Sequence, residues 1–370
     1  MNENFTHKGE WFLPASKDNR IKGILTYDME EGSSLELLGN FAHEEFLPNV
    51  KDEEIILGIT SDSKLITLYR CYVTQAGGGT IVHGQESGMP STVYSALYIL
   101  EGVHIDTPEE LKFNSIASEI HNLDEWIGIS GFTPDEITQE SLKKHEFNVH
   151  YKLPETLKFD ISNDLKGEFR FTISRPGLPI FRKEVNLKQK VQVIIISYLD
   201  SPIDKLLEHL FSFQNFLILG LYRKTYPTNI TLGGEKFVYD YGGKPRRIPI
   251  RLYFPVSIRS DVVKPKSAIS MLFAYGHIHK EFPTIIKEWY RKYEILEPAF
   301  NLLFEQFYNN DRFTENTFLN LAQAAETFHA RLNNHTKMPK SDYAQMKKAI
   351  YAGTPKEFHR WLKEQFNFGN

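Results

Sequence analysis

The sequence predicts an α+β fold class: a β-rich, sandwich-like and mostly antiparallel N-terminal region, followed by an all-α C-terminal helical bundle. Three observations lead to this prediction. Short runs rich in Val, Ile, Thr and Tyr, separated by Gly, Asn, Asp and Ser, recur through residues 1–275. One amphipathic helix interrupts these runs after residue 201. From Pro283 onward the apolar residues recur at helical spacing instead.

The predicted strands follow the β-branched and aromatic runs in chain order. Alternation in residues 94–100 is too weak to assign one face to solvent, so burial on both faces is expected. The glycine-rich residues 76–90 lack periodicity and are expected to form a loop. Strands are predicted at residues 21–27, 55–60, 64–73, 92–103, 168–174, 189–199, 236–241, 247–254 and 268–275.

The first predicted helix begins with a set of capping residues. Ser201 is expected as its N-cap, Pro202 as its first residue and Asp204 in the first turn, where a carboxylate suits the helix dipole. Apolar residues then follow at helical spacing. The helix therefore falls between two groups of strands.

The C-terminal helices are predicted from apolar stripes and capping signals. One stripe precedes Pro298 and a separate one follows it. Thr314 is expected to cap a longer helix, and Thr354 with Glu357 forms a capping-box pattern that opens the last helix. The predicted domains are residues 1–275, with a sub-boundary near 130–150, and residues 280–370.

The composition excludes several classes of protein. Hydrophobic residues make up 41% and charged residues 24% of the chain, which is typical of a soluble globular protein rather than a disordered or fibrous one. Cys71 is the only cysteine, so an internal disulfide and a multi-cysteine zinc site are excluded. The polar N-terminus lacks a secretory signal, and no apolar run approaches the roughly 18 residues that span a bilayer. We expect a cytoplasmic protein with no membrane partner and no cofactor.

The net charge of −4 is the sum of three unlike segments. Residues 1–150 carry 10 basic and 25 acidic side chains, whereas residues 151–275 carry 20 basic and 11 acidic ones. Residues 276–370 are nearly balanced, with 13 basic and 11 acidic side chains. Such asymmetry indicates an interaction surface in the basic middle segment.

The common catalytic and metal-binding motifs are absent from the sequence. It contains no phosphate-binding loop, no G-x-S-x-G elbow and no H-E-x-x-H pair. His277 and His279 would point to the same side of a strand, but no third ligand stands at a suitable spacing. Cys71 lies in an apolar run, which favours a buried inert thiol over a nucleophile. No metal site is therefore predicted.

A stretch that mixes basic and aromatic residues covers residues 222–266. Cationic groups neutralise phosphates, and aromatic rings stack on unpaired bases, so the pattern indicates RNA binding. The alternative is a sheet with cationic outer positions and an aromatic core. The candidate RNA-binding residues are Arg223, Lys224, Lys244, Arg246, Arg247 and Arg251.

A second group of candidate residues lies on the longer C-terminal helix. Glu326, His329 and Arg331 fall within two helical turns and would form an acid–base cluster. The alternative is a solvated helix face, because charged side chains commonly line the outer side of a helix.

Several segments together resemble ApeA-like bacterial proteins. Residues 318–329 (FLNLAQAAETFH) resemble the opening helix of their HEPN domain. Upstream segments are similar, in order and spacing, to the β-rich domain that precedes HEPN. These are 9–14 (GEWFLP), 21–25 (IKGIL), 35–39 (LELLG), 56–60 (ILGIT), 66–68 (ITL) and 123–126 (LDEW).

This resemblance implies a role in anti-phage defence by abortive infection. It implies a HEPN helical bundle that forms a homodimer and acts as a metal-independent ribonuclease, with RNA such as tRNA as substrate and a phage-derived trigger. The family's chemistry uses an Arg with a His about five to seven positions later, which together move the 2′-hydroxyl proton and stabilise the phosphorane charge. Glu326 and His329 match family positions that face the site.

The sequence departs from the family pattern at this dyad. No Arg is followed by a His at the family spacing, since Arg331 and His335 are only four positions apart. We therefore expect an incomplete HEPN region, no catalytic dyad and no robust ribonuclease activity. A non-catalytic sensor or binding module with a helical dimerisation domain is the alternative. A carbohydrate-binding sandwich enzyme is disfavoured because no suitable pair of carboxylates is found.

Overall fold

The computed structural model describes residues 4–41, 50–77, 80–82, 85–87, 91–136, 138–145, 148–174, 186–256, 267–308, 314–333 and 338–366. The chain divides into two compact units, Met1–Arg291 and Lys292–Asn370. All the strands of the described residues lie in the first unit. The α+β prediction, with a β-rich N-terminal region followed by helices, is therefore confirmed.

The first strands form a closed six-stranded antiparallel barrel. The strands up to residue 101 are β1 (Phe5–Phe12), β2 (Ile21–Asp28), β3 (Gly32–Leu37), β4 (Glu53–Thr60), β5 (Leu65–Gly77), β6 (Thr80–Val82), β7 (Gln85–Ser87) and β8 (Ser91–Glu101). The barrel order is β8-β3-β2-β1-β4-β5, and β5 pairs again with β8. β6 and β7 form a short hairpin within the segment expected to be a loop.

The barrel has its own hydrophobic core. It is built from inward-facing residues that alternate with outward ones along the strands, as period-two patterning requires. Trp11 is fully buried at its centre, and Cys71 is buried there as well. The closed barrel corrects the prediction of a sandwich-like fold. β8 pairs with β3 along one edge and with β5 along the other, which closes the six strands into a single barrel instead of two stacked sheets.

The remaining strands extend the sheet from β8 in the order β8-β18-β15-β9-β14-β13-β12. They are β9 (Lys112–Ile120), β10 (Phe132–Pro134), β11 (Val149–Tyr151), β12 (Leu157–Asp160), β13 (Leu165–Ser174), β14 (Lys188–Pro202), β15 (Pro227–Gly233), β16 (Val238–Asp240), β17 (Pro245–Arg247) and β18 (Ile250–Tyr253). β10–β11 and β16–β17 form separate two-stranded sheets.

Helices cover the extended sheet and make up the second unit. They are α1 (Leu123–Ile127), α2 (Gln139–Lys144), α3 (Ile203–Leu221), α4 (Tyr275–Ile278), α5 (Phe282–Tyr308), α6 (Thr314–Leu332), α7 (Lys340–Gly353) and α8 (His359–Phe366). α3 contributes most of the apolar side chains that pack on β9, β13 and β14 in the larger core. No described helix has the length and apolarity needed to cross a membrane.

The start of α3 differs from the predicted capping. Ser201 belongs to β14, and its hydroxyl donates to the Leu199 carbonyl, so Pro202 is the N-cap residue. Asp204 lies in the first turn as predicted, and tertiary contacts hold it there. Its carboxylate accepts from both terminal nitrogens of Arg70, at 3.2 and 2.8 Å, and from the Tyr98 hydroxyl at 2.6 Å. These bonds join the barrel to α3.

Two further predictions are wrong. Residues 268–275, expected as a strand, form a 3-10 turn at Ala268–Ser270 and the beginning of α4. Met271, Phe273, Ala274 and Tyr275 pack in the larger core, whereas Ile269 and Leu272 are exposed. The Phe273 carbonyl accepts from the Trp126 indole at 3.0 Å. α5 also runs through Pro298, because the residues on both sides of it, Leu296 and Phe300, are buried.

The second unit consists of helices alone among its described residues. In it, Ala299 and Phe304 are buried, and the Asn320 side chain donates to Glu305 at 2.6 Å. The capping box expected at Thr354 is not formed. The Thr354 hydroxyl donates back to the Ile350 carbonyl at 2.7 Å, and a 3-10 turn at Lys356–Phe358 precedes α8. The detailed packing of a helical bundle stays a prediction.

Candidate nucleic-acid interface

The hairpin formed by β16 and β17 carries an exposed group of cations and aromatic rings from the basic segment. Tyr239 is paired with Arg246, and Val238 with Arg247. Gly242 and Gly243 occupy the turn with φ of 63° and 79°, a conformation that L-residues with side chains rarely adopt. All residues from 238 to 247 are exposed.

Cross-strand pairing places the rings and cations on defined faces of this hairpin. Tyr239 and Arg246 share one face because cross-strand partners lie on the same side of a sheet. The Arg246 guanidinium also lies over the Tyr241 ring, 4.6 Å from its centroid. Arg247 lies on the opposite face with Val238. The side chains of Arg246 and Arg247 therefore lie on opposite faces of the hairpin, and of the two only Arg246 lies beside the rings of Tyr239 and Tyr241.

The cations of the hairpin are not neutralised by acidic partners. Within the part of the chain that the structure describes, no carboxylate lies within 4.0 Å of the charged nitrogens of Lys244, Arg246 or Arg247. The exposed fraction of Tyr241 is 62% and that of Tyr239 is 45%. A solvent-facing surface with unpaired cations and accessible rings matches the chemistry that single-stranded nucleic acid requires.

Arg223 and Lys224 occupy a different setting. They follow α3 directly, after Tyr222, and are half-buried. Burial lowers the pKa of the neighbouring His121 imidazole, and the positive charge of Arg223 lowers it further. These two residues belong to the connection between α3 and β15, not to the hairpin.

Arg251 lies on β18 and is held by a buried carboxylate. It is the cross-strand partner of Glu101, which ends β8, and its Nη1 donates to Glu101 Oε1 at 3.1 Å. Lys64 Nζ donates to the other oxygen of Glu101 at 3.1 Å. Glu101 is only 8% exposed. The predicted set of six cations thus divides among the hairpin, the α3 connection and β18.

The structure reveals a titratable cluster that the sequence analysis missed. His7 on β1 lies beside Glu101, with 3.7 Å between Nε2 and Oε2, and beside Asp62, with 4.0 Å between Nδ1 and Oδ1. Burial raises the pKa of the nearby Tyr253 hydroxyl, and the Glu101 charge raises it further. An acidic residue closing an otherwise apolar run in β8 is the one sequence signal for this cluster.

Glu326 and His329 both lie exposed on α6. Their three-residue separation places them on the same side of the helix. Arg331 is exposed in the last turn of the same helix. The helix itself is confirmed, whereas an acid–base role for these residues stays a prediction.

The two histidines considered as metal ligands do not lie on a strand. His277 belongs to α4, and its Nδ1 accepts from the Ala274 backbone N–H at 3.1 Å. His279 follows the helix, with its Nδ1 2.9 Å from the Gly276 carbonyl. Among the described residues, no group of three His, Cys, Asp or Glu side chains is placed to hold a metal ion.

These features define a two-unit α+β chain with a barrel-based first unit, an exposed basic hairpin and a helical second unit. The chain belongs to the ApeA family. Residues 6–289 match ApeA N-terminal domain 1, and residues 319–370 match the Apea-like HEPN domain. The resemblance proposed from the sequence is therefore confirmed. No curated protein and no solved structure matches the chain.

Proposed function

We propose that this ApeA-like protein acts in anti-phage defence and binds RNA through the hairpin of β16 and β17. The family match across both units supports the defence role. In this role the β-rich unit recognises a phage-derived trigger. The observation that carries RNA binding is the group of exposed, unpaired cations beside Tyr239 and Tyr241. Arg223, Lys224 and Arg251 are left out of this interface because they occupy other settings.

Reversing the hairpin charges tests RNA binding. We expect Arg246→Glu with Arg247→Glu to weaken binding of single-stranded RNA or tRNA at least about tenfold at low salt, because two phosphate contacts are replaced by repulsion. The slope of log affinity against log salt should fall by about 1.4, the value for two lost contacts to a single strand. Fluorescence anisotropy at several salt concentrations measures both quantities.

Two further variants sharpen this experiment. Lys143→Glu with Lys144→Glu is the matched control, because it makes the same charge change at two adjacent exposed residues of α2. It should leave RNA affinity unchanged. Tyr241→Ser should weaken binding without changing the salt slope, since stacking releases no counterions. If the hairpin reversal and the α2 control behave alike, the hairpin is only a solvated surface.

The RNA is expected to remain intact in these titrations. None of the arginines in the 370 residues is followed by a histidine at the family spacing, which supports binding without robust cleavage. Incubation of the protein with labelled tRNA and EDTA checks this. Strong cleavage that His329→Ala abolishes would instead assign the acid–base role to the exposed Glu326 and His329.

We also propose that the helical unit forms a homodimer. Large apolar side chains are exposed on its helices, including Phe318 at 75% and Trp361 at 59%. Such exposure in a folded unit is typical of an interaction surface. Sedimentation velocity over a range of concentrations should show a dimer that Phe318→Glu converts to monomer. A monomer at every concentration would contradict the proposal.

A further inference from the structure

A cavity of about 600 Å³ lies where the barrel meets the extended sheet. It is bordered by β1, β15 and β18. β15 and β18 pair through only two residue pairs, Thr231 with Arg251 and Leu232 with Ile250. β15 also bulges on its other side, between Thr228 and Thr231, with Asn229 at a φ of 52°. Because the ladder is short and bulged, the sheet opens at this point.

The cavity lining carries more cations than carboxylates. Lys64 and Arg251 flank Glu101, and Lys190 on β14 donates to Glu119 on β9 at 2.8 Å. Three cations of the lining therefore face two of its carboxylates, and Lys64 Nζ also lies 3.7 Å from Asp62 Oδ2, outside the lining. An ammonium has three N–H donors and a guanidinium five, more than these carboxylate contacts use. The lining thus offers charged donors to an anionic group such as a phosphate.

Aromatic and amide side chains form other parts of the lining. The rings of Phe5 and Tyr253 meet edge to face, with 5.0 Å between their centroids, and Phe5 also stacks on Tyr27. Asn4 and Gln192 also line the cavity. The Asn4 amide already donates to Asp28 and accepts from the Met29 backbone N–H, whereas the Gln192 amide is able to bond the edge of a heterocycle. His7 is a further lining residue. Its Nε2 is buried and has no hydrogen-bond partner among the described residues.

We propose that this cavity binds a nucleotide the size of a nucleoside monophosphate, with its phosphate at Lys64, Lys190 and Arg251 and its base against Phe5 and Tyr253. The volume is within the range of about 300–1,000 Å³ that small-molecule sites occupy. Cationic donors, aromatic rings and the Gln192 amide within one cavity supply a partner for each part of such a ligand. The proposal does not rest on RNA binding by the hairpin, which involves none of these residues.

Isothermal titration of the full chain with AMP, GMP, CMP and UMP tests the proposal. At least one of them should bind saturably, while inorganic phosphate and the matching nucleoside should bind at least about tenfold more weakly, since each lacks one half of the contacts. Arg251 lies on β18 and Lys190 on β14, and Arg251→Gln and Lys190→Gln should each weaken binding about tenfold through loss of a charged donor. Lys158→Gln, exposed on β12, should have no effect.

The outcomes separate this site from the RNA interface. Arg251→Gln is expected to weaken nucleotide binding and to leave RNA affinity unchanged. If Arg251→Gln does not fold, as judged by circular dichroism, Lys190→Gln decides the question. The proposal is overturned if no nucleotide saturates at millimolar concentration, if phosphate alone binds equally well, or if Arg251→Gln and Lys190→Gln both bind as the parent chain does.

Discussion

Trp126→Ala is expected to lower the free energy of unfolding of the first unit by about 4 kcal/mol, within the range measured for large aromatic truncations in cores. Trp126 on α1 is fully buried. Its ring lies within 6.4 Å, centroid to centroid, of five other aromatic rings drawn from β13, α3, α4, α5 and the segment before α4. These are Phe169, Phe216, Phe273, Tyr275 and Phe282. Truncation leaves a cavity among them.

The Trp126 indole also has a polar role. Its Nε1 donates to the Phe273 carbonyl at 3.0 Å, so truncation leaves that acceptor unpaired. Trp126→Phe keeps most of the ring volume and loses the donor, and we expect it to cost about 1–2 kcal/mol. Leu199→Ala, at a side chain of β14 that is 72% exposed, should cost less than about 0.5 kcal/mol. Urea unfolding followed by circular dichroism measures all three. If Trp126→Ala lowers the free energy of unfolding by less than about 1 kcal/mol, packing of the aromatic cluster around Trp126 does not stabilise the first unit as expected.

Gly58→Ala is expected to destabilise the barrel by about 3 kcal/mol, at the upper end of the usual cost of overpacking. Gly58 on β4 lies directly opposite Trp11 on β1, and the buried indole lies across it. A Cβ at Gly58 would be 2.3 Å from Cζ3 of Trp11. Gly23 on β2 borders the ring on another side, where an added Cβ would be 3.0 Å from Cδ1, so the indole lies against two glycines.

A double-mutant cycle isolates this contact. Once Trp11→Ala has removed the ring, Gly58→Ala should cost less than about 1 kcal/mol, giving a coupling free energy of about 2 kcal/mol. Gly276→Ala is the control, since no described atom apart from its chain neighbours and the backbone of its own helix lies within 4 Å of the position of its added Cβ. Thermal and urea unfolding provide the free energies. Equal costs of Gly58→Ala in both backgrounds would show that the indole is not the obstacle.

The features that could be predicted from the sequence are those encoded within short stretches of residues. β2, β4, β5, β8, β13 and β14 were expected within a few residues because β-branched runs bounded by turn residues signal strands directly. The mixture of rings and cations at Tyr239, Tyr241 and Arg246 was also read from the sequence, which left open whether the rings would be exposed or would form an aromatic core. The ApeA resemblance depended on segment order, which the sequence also contains.

The errors arose where distant contacts overrode local signals. Residues 268–275 have the composition of a strand, yet the Phe273 carbonyl bonds the Trp126 indole, 147 residues away in sequence. Pro298 has the local signature of a helix end, yet buried neighbours keep α5 continuous. Strand pairing closed the barrel, because only the register of β8 against β3 and β5 distinguishes it from a sandwich.

By itself, the sequence determined the α+β class, the family, the positions of β2, β4, β5, β8, β13 and β14, and the basic, aromatic character of residues 238–247. Only the tertiary structure decided which cations act together. It placed Arg251 on Glu101, 150 residues away, and opened the cavity between β15 and β18, while Arg246 stayed exposed beside Tyr241. The physical reason is that propensity and periodicity act over a few residues, whereas the pairing of a buried carboxylate depends on which strands the fold brings side by side.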